Sequence, residues 1–351
     1  MSEAVEPLAD RFRRQAEFCR TAGSPLTAEL LDGAAGDLAD PGTPTAQLLG
    51  PLEGDPPGSV PALRFAGALH RLVLERRAPG LAVHYPSVGG TPGDVWSAAR
   101  EAVEQHLEPL HELVRRPVQT NEVGRSSALL GGLLHLAAER QLPVRLLELG
   151  ASAGLNLSVD RYRHEVTPGT VLGDPASPAV LDDPWRGVLP PCDQPLELVE
   201  RLGCDPAPLD PRSTADRLTL TSYVWADQVG RFERLRGALQ VASAAPEPVR
   251  RQGAADFLEQ QLGPVRDVVT VVWHSLVRQY LSPEARRRVD ALLSDAGQRA
   301  TAHAPLGHLH LEPVPGHADP PSFQVVLTSW PGGQRRVLAE CGAHGPPIVW
   351  R

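Results

Sequence analysis

The chain has 351 residues, 42% of them hydrophobic and 22% charged, with a formal net charge of −8. That composition excludes a disordered or fibrous chain, and the acidic balance argues against a general nucleic-acid binder, which carries a strong basic footprint. All 34 basic residues are arginine, so Schiff-base chemistry, a Walker-type phosphate site and a kinase-type ATP site are excluded for want of a lysine.

The first 140 residues read as helical. Apolar positions recur at helical spacing over Leu8–Cys19, over Leu26–Leu38 with Ser24 and Pro25 as a start signal, and over Pro61–Arg77. Asp94–Arg115 reads as one long helix with a polar face, and Thr120–Arg140 as another with a leucine-rich side. Gly- and Pro-rich stretches at 40–61 and 86–93 read as loops between them.

At Pro143 the pattern changes. Val144–Leu149 is a short apolar run, followed by a Gly-containing turn and a helical stretch over Gly154–Tyr162, which is the strand–turn–helix opening of an α/β domain. Residues 167–215, rich in Pro and Asp, read as an insertion with little regular structure. Leu218–Gln240 reads as helical in its second half, Pro248–Gly253 as a short strand and Ala255–Leu262 as a helix. Val268–Trp273 reads as a buried strand, and Pro283–Arg299 as a helix with Pro at its start. His308–Pro313, Phe323–Trp330 and Arg335–Glu340 read as strands, the last two joined by a Pro331-Gly332-Gly333 hairpin turn.

Four cysteines, none in a CxxC pair, suit neither a disulfide scaffold nor a zinc ribbon. The N-terminus lacks an apolar segment of signal-peptide type, and no run approaches about 18 apolar residues, so the expectation is a soluble cytoplasmic protein without a membrane partner.

The motif with chemical content is Glu148-x-Gly150-x-Ser152-x-Gly154 within VRLLELGASAGLNL. Small residues let a ligand approach the backbone, and a helix start points N–H groups at it. The spacing is not the G-x-G-x-x-G of a dinucleotide site. It resembles motif I of class I S-adenosylmethionine-dependent methyltransferases, acid-x-Gly-x-Gly-x-Gly, with Ser152 at the middle glycine. The resemblance implies S-adenosylmethionine as cofactor, held by Glu148, Gly150, Ser152, Gly154 and Asn156, with Asp256 near the adenine. It also implies an acid at the end of the second strand for the ribose. Asp160, Glu165 and Asp174 are the acids near that stretch, and none is clearly placed.

The whole chain, from about residue 10 to the C-terminus, resembles the bacterial family of domain of unknown function 2332. The matching pieces are 119–125 (QTNEVGR), 146–166, 173–178 (GDPASP), 223–228 (YVWADQ), 272–275 (VWHS) with Gln279-Tyr280, and 330–333 (WPGG). The family name carries no activity. Together the two resemblances imply an α/β fold: a methyltransferase-like Rossmann sheet with a C-terminal antiparallel hairpin over 141–351, preceded by an all-helical region over 1–140.

Ligands in such sheets sit outside the carboxyl ends of the strands. His274, at the end of the VVTVVW strand, is the candidate catalytic base, and a His that only shapes the pocket is the equal alternative. Ser275, Gln279 and Tyr280 follow as candidate substrate contacts. Thr120, Asn121, Glu122 and Arg125 form a polar cluster at a helix start: either Thr120 or Asn121 caps it with Glu122 in the first turn, or Asn121, Glu122 and Arg125 are substrate contacts over the cofactor pocket, with Arg125 suited to a carboxylate or phosphate. Tyr223, Trp225 and Asp227 read either as a further pocket wall or, as the favoured reading, with Tyr223 and Trp225 as a buried aromatic pair. His308, His310 and Glu312 share a strand face, but positions i and i+4 lie about 13 Å apart, so one metal ion is not expected to bind all three.

The expected function is methyl transfer from S-adenosylmethionine to a small-molecule acceptor. Two alternatives stand beside it: a non-catalytic ligand-binding or assembly protein on the same fold, and an enzyme of another class on that fold.

Overall fold

A computed structural model describes residues 6–314, 316 and 322–351. Its helices are α1 (Leu8–Thr21), α2 (Pro25–Asp37), α3 (Pro44–Leu49), α4 (Pro61–Leu74), α5 (Pro79–Ala82), α6 (Val95–Gln105), α7 (Leu107–Leu113), α8 (Ser126–Arg140), α9 (Thr214–Ser222), α10 (Val229–Ala244), α11 (Ala254–Gln261) and α12 (Pro283–Arg299). Its strands are β1 (Val144–Leu149), β2 (Arg163–Thr167), β3 (Thr170–Gly173), β4 (Val180–Asp182), β5 (Trp185–Gly187), β6 (Leu198–Asp205), β7 (Val249–Arg251), β8 (Val269–Ser275), β9 (Leu306–Pro313), β10 (Phe323–Trp330), β11 (Gln334–Gly342) and β12 (Gly345–Trp350). Two compact units result: 1–120 with 214–232, and 121–213 with 233–351. This division differs from the sequence-based one at residue 140.

The first unit is helical. Its core joins Phe12, Leu30, Leu31, Phe65, Leu69, Leu72 and Val103 with Trp225 from the later segment. Trp225 meets Phe18 edge-on at 6.1 Å, and the Arg231 guanidinium lies over its ring at 5.5 Å. Asp227 accepts from Ser24 Oγ and from Leu26 N–H, so it caps α2 in place of a local side chain. The Tyr223-to-Gln228 motif thus has a structural task in this unit.

Two expectations change here. Residues 40–61 contain α3, started by Thr43, whose side chain accepts from Ala46 N–H, and by Pro44 at its first position. The long helix over 94–115 breaks at His106 (φ −128) into α6 and α7. Pro109 explains the break: it lacks an N–H and fits only the first turn of a helix.

The second unit is built on a nine-stranded sheet in the order β5-β12-β11-β10-β9-β8-β1-β6-β7. Strands β7, β6, β1, β8 and β9 run parallel. From β9 to β12 the chain forms an antiparallel meander, so the expected hairpin is part of a longer run. The architecture is Rossmann-like. Leu147, Leu149, Val272 and Leu306 face α11 and α12, where they meet Phe257, Leu258, Val289 and Leu293. The other face receives α8, whose Gly132 lies against Leu309.

The expectation of an irregular insertion over 167–215 is corrected: it holds β3 to β6, and β6 is an interior parallel strand beside β1. A nine-residue helix, α9, also precedes α10, where only the second half of 218–240 was expected to be helical. The stretch after Gly154 forms 3-10 turns over Leu155–Arg161, kinked at Ser158, rather than a regular helix.

One glycine in α8 has a sharp test. Glycine to alanine inside a helix ordinarily gains about 1 kcal/mol. At Gly131 an added Cβ would sit 2.1 Å from Trp350 Cζ2. Gly131→Ala is therefore expected to destabilise by about 1–3 kcal/mol in denaturant titration; a gain would show that the indole yields.

Candidate functional site at the strand-order switch

Strand order reverses between β1 and β8: from β1 the chain proceeds to β6 and β7 on one side, then crosses to β8 on the other. Loops at the carboxyl ends of strands diverge at such a point and leave a crevice there, the usual ligand position in an open α/β sheet. Glu148 and Trp273 are register partners across that switch. The turn after β1 carries Gly150, Ser152 and Gly154, all with positive φ (68°, 51° and 73°).

The turn is clamped by two side chains of its own unit. Asn121 Oδ1 accepts from Ala153 N–H at 3.2 Å and from Leu155 N–H at 3.0 Å. Asp205 Oδ2 accepts from Ser152 N–H at 3.0 Å, and its Oδ1 from Ala207 N–H at 2.8 Å. Ala151 N–H and Gly154 N–H are bonded to the carbonyls of Cys204 and Ala151. The turn's N–H groups are thus held by protein acceptors, which corrects the expectation that a helix start presents them to a ligand.

Glu148 and Asn156 are each 2% exposed and lie side by side on the α8 face. Asn156 Nδ2 donates to Glu148 Oε1 over a long 3.4 Å. Glu148 Oε2 and Asn156 Oδ1 are buried with no hydrogen-bond partner. Trp273 Nε1, likewise buried without a partner, adjoins Glu148. Burial pushes the Glu148 carboxyl up to about 8; Asn156, Trp273 and Arg125 oppose the shift, and the nearby Asp205 adds to it.

Arg125 stands at the same strand ends. Its Nε donates to Ala343 O at 2.8 Å and its Nη1 to Ser275 O at 3.3 Å. Glu122 caps the short turn that leads into α8, accepting from Gly124 N–H. The polar cluster expected at 121–125 therefore divides: Asn121 clamps the Gly turn, Glu122 caps, and Arg125 faces Ser275. Gln279 and Tyr280 lie in the exposed segment after β8, with Tyr280 50% exposed.

Two sequence-predicted residues lie elsewhere. Asp256, in the first turn of α11, is exposed and pairs with Arg288 at 2.6 Å, so its carboxylate is turned to α12 and the surface. His274 sits on the opposite sheet face from Glu148, because side chains alternate along β8 and Glu148 pairs with Trp273. There its Nδ1 lies 2.8 Å from Glu312 Oε1, and its Nε2 lies 3.0 Å from His308 Nε2. His310 stacks on it at 5.3 Å and 5°.

In this group burial pushes the Glu312 carboxyl up, but the His274 bond and charge and two backbone N–H bonds outweigh it, and its pKa falls below the ordinary value. Burial, with the neighbouring His274, holds His308 well below the ordinary imidazole range and His310 at about 3. Glu312 thus accepts the Nδ1 proton of His274. Adjacent imidazoles come together because β8 and β9 pair with His274 opposite His310. Among the described residues no group of His, Cys, Asp and Glu has metal-binding geometry.

An acid that the sequence reading does not name, Asp205, ends β6, the parallel strand beside β1. Its local signal was the string Leu202-Gly203-Cys204-Asp205, an apolar strand end closed by an acid. The three acids weighed for the ribose are committed elsewhere: Asp160 to Arg201, Glu165 to Arg163, and Asp174 to Ala176 N–H.

Among the described residues no helix is long and apolar enough to cross a membrane. A family model described as "Uncharacterized protein conserved in bacteria (DUF2332)" matches residues 9–350. No curated protein and no solved structure matches the chain.

Proposed function

Since the chain belongs to this family of uncharacterized bacterial proteins, we propose that it binds S-adenosylmethionine across the carboxyl ends of β1 and β6 and transfers its methyl group to a small-molecule acceptor. One observation carries the reading. At the strand-order switch, beside a positive-φ Gly turn, Glu148 Oε2 and Asn156 Oδ1 are buried without a hydrogen-bond partner. Buried polar atoms without partners are rare and ask for a ligand or water.

The donor set fits the cofactor. An amino-acid ammonium brings three N–H donors to Glu148 and Asn156. Ribose hydroxyls bring two more to Asp205, whose carboxylate has acceptor capacity beyond its two N–H bonds. Arg125 supplies a cation for a carboxylate. When bound, S-adenosylmethionine supplies an electrophilic methyl group on its sulfonium. The chain's part is to hold and orient the partners, which is where proximity contributes most. His274 has no ligand contact in this reading, because its ring faces α12. The net charge of −8 favours a small acceptor over nucleic acid.

A second reading, a ligand-binding protein without catalysis, draws on one specific observation: an added Cβ on Gly150 would lie 2.5 Å from Val277 Cγ2, so protein already covers that glycine.

Calorimetric titration with S-adenosylhomocysteine tests the binding site. Micromolar affinity that Gly154→Arg abolishes is expected; no binding at millimolar ligand would overturn the proposal. Product analysis with candidate acceptors then separates transfer from binding alone. A proton readout sharpens the test. An ammonium beside Glu148 favours its ionised form and lowers a pKa that stands at about 8 in the free protein. Binding at pH 7 is therefore expected to release up to about one proton, and affinity to rise as pH approaches 8. Titrations in buffers of different ionisation enthalpy check this; proton uptake would contradict it.

A further inference from the structure

We propose that Glu312 is the latch of a strap, residues 276–280, that closes the ligand turn at Gly150. The strap leaves β8 at Leu276, which has a left-handed φ of 53°, and returns to α12. Its backbone is tied to β9 at three points. Leu276 N–H donates to Leu311 O at 3.0 Å, Val277 N–H to Glu312 Oε1 at 2.9 Å, and Arg278 N–H to the same oxygen at 3.3 Å. That oxygen also takes His274 Nδ1 at 2.8 Å. Three donors on one carboxylate oxygen fix both the strap and the imidazole behind it.

The fastening has a consequence on the other side of the sheet. With its N–H on Glu312, Val277 directs its side chain to Gly150, where Cγ2 stands 2.5 Å from the position of an added Cβ. A ligand lying on that glycine requires Val277 to move away. Because Glu312 points to the α12 face and Val277 covers the β1 turn, a carboxylate remote from the ligand sets access to it. Arg278 adds a second tie, a paired bond to Asp290 at 2.7 and 2.8 Å, but that pair is on the surface, where ion pairs contribute little. Glu312 is thus a positioning residue; it acts through the strap.

The inference rests on the ligand reading above for what is gated, but not for the latch itself. The test is hydrogen exchange on the full chain, read at single amides, together with association rates for S-adenosylhomocysteine. In Glu312→Ala, exchange at Val277 and Arg278 is expected to rise about ten- to a hundred-fold, the scale of losing a buried bonded acceptor. The amides of Val271 and Val272 keep their protection. Glu312→Gln retains an amide oxygen and is expected to restore slow exchange, and Asp290→Asn is expected to leave it unchanged. Val277→Ala shortens the plug without touching the latch, so exchange at 278 stays slow while ligand association quickens; association quickens in Glu312→Ala too.

Unchanged exchange at 277 and 278 in Glu312→Ala overturns the latch. So does a rise spread equally over β8 and β9, which would mark a general loss of stability. Association rates unchanged in both Glu312→Ala and Val277→Ala overturn the gating. If the wild-type chain binds no S-adenosylhomocysteine while the exchange pattern appears as described, the proposed function fails and the latch stands.

Discussion

Replacing Glu148 with Gln is expected to flatten the pH dependence of stability between about pH 4.5 and pH 8. In the folded chain burial raises this carboxyl from 4.5 to about 8, whereas the unfolded chain restores the ordinary value. The folded state therefore binds the extra proton throughout that interval. The stability linked to it is present in full below about 4.5 and is lost progressively as pH rises to about 8. At about 1.36 kcal/mol for each unit of pKa, the loss amounts to about 3–5 kcal/mol. The group is only 2% exposed, so solvent screens little of it. Gln has the same shape and no ionisation. Urea titrations at pH 4.5, 6.5 and 8.5 should show the wild type falling towards the variant, or below it, as pH rises. Parallel pH profiles would mean that Glu148 is solvated or already paired with a cation.

The second large effect is expected at Asp205. Asp205→Ala leaves Ser152 N–H and Ala207 N–H without their acceptor. Each such loss costs about 1–3 kcal/mol, so destabilisation of about 2–6 kcal/mol is expected in denaturant titration. Asn121→Ala removes the acceptor of Ala153 N–H and Leu155 N–H in the same turn. Because both clamps hold one turn, the double variant should cost less than the sum of the singles. Asp205→Asn keeps one oxygen but turns an NH2 to the other N–H, and should fall between wild type and Asp205→Ala. Loss of S-adenosylhomocysteine binding is expected in all Asp205 variants, including the milder Asn form. A folded Asp205→Asn protein with unchanged affinity would remove the ribose assignment.

Where local signals were strong, the sequence reading and the structure coincide. β1, β10 and α12 have the predicted bounds, because a dense apolar run, alternation with a Pro-Gly-Gly turn, and Ser282-Pro283 at a helix start are each decided by near neighbours. The Glu148-to-Gly154 motif marked the turn by the same logic. β6 was obscured for a physical reason. Its first half, including exposed Val199 and Glu200, is not buried, and its interior Gly203 has no side chain to signal a strand. That glycine answers to a distant partner: an added Cβ would lie 2.5 Å from Ala151 Cβ in the ligand turn. Without β6 in place, Asp205 had no visible position.

The side-chain assignments depended on register, which no local pattern supplies. The period of two put His308, His310 and Glu312 on one face, as expected. That His274 joins them, 38 residues before Glu312 and turned away from Glu148, follows only from the β8–β9 and β1–β8 pairings. Likewise Asn121 reads as a helix cap in sequence, yet its acceptor serves a turn more than thirty residues later.

A crystal structure of the chain with S-adenosylhomocysteine would locate the ligand. Ligand density is expected at the carboxyl ends of β1 and β6, with the amino group against Glu148 and Asn156, the ribose at Asp205, and Val277 withdrawn from Gly150. An unoccupied crevice at saturating ligand, or ligand bound on the α12 face beside His274 and His308, would contradict it.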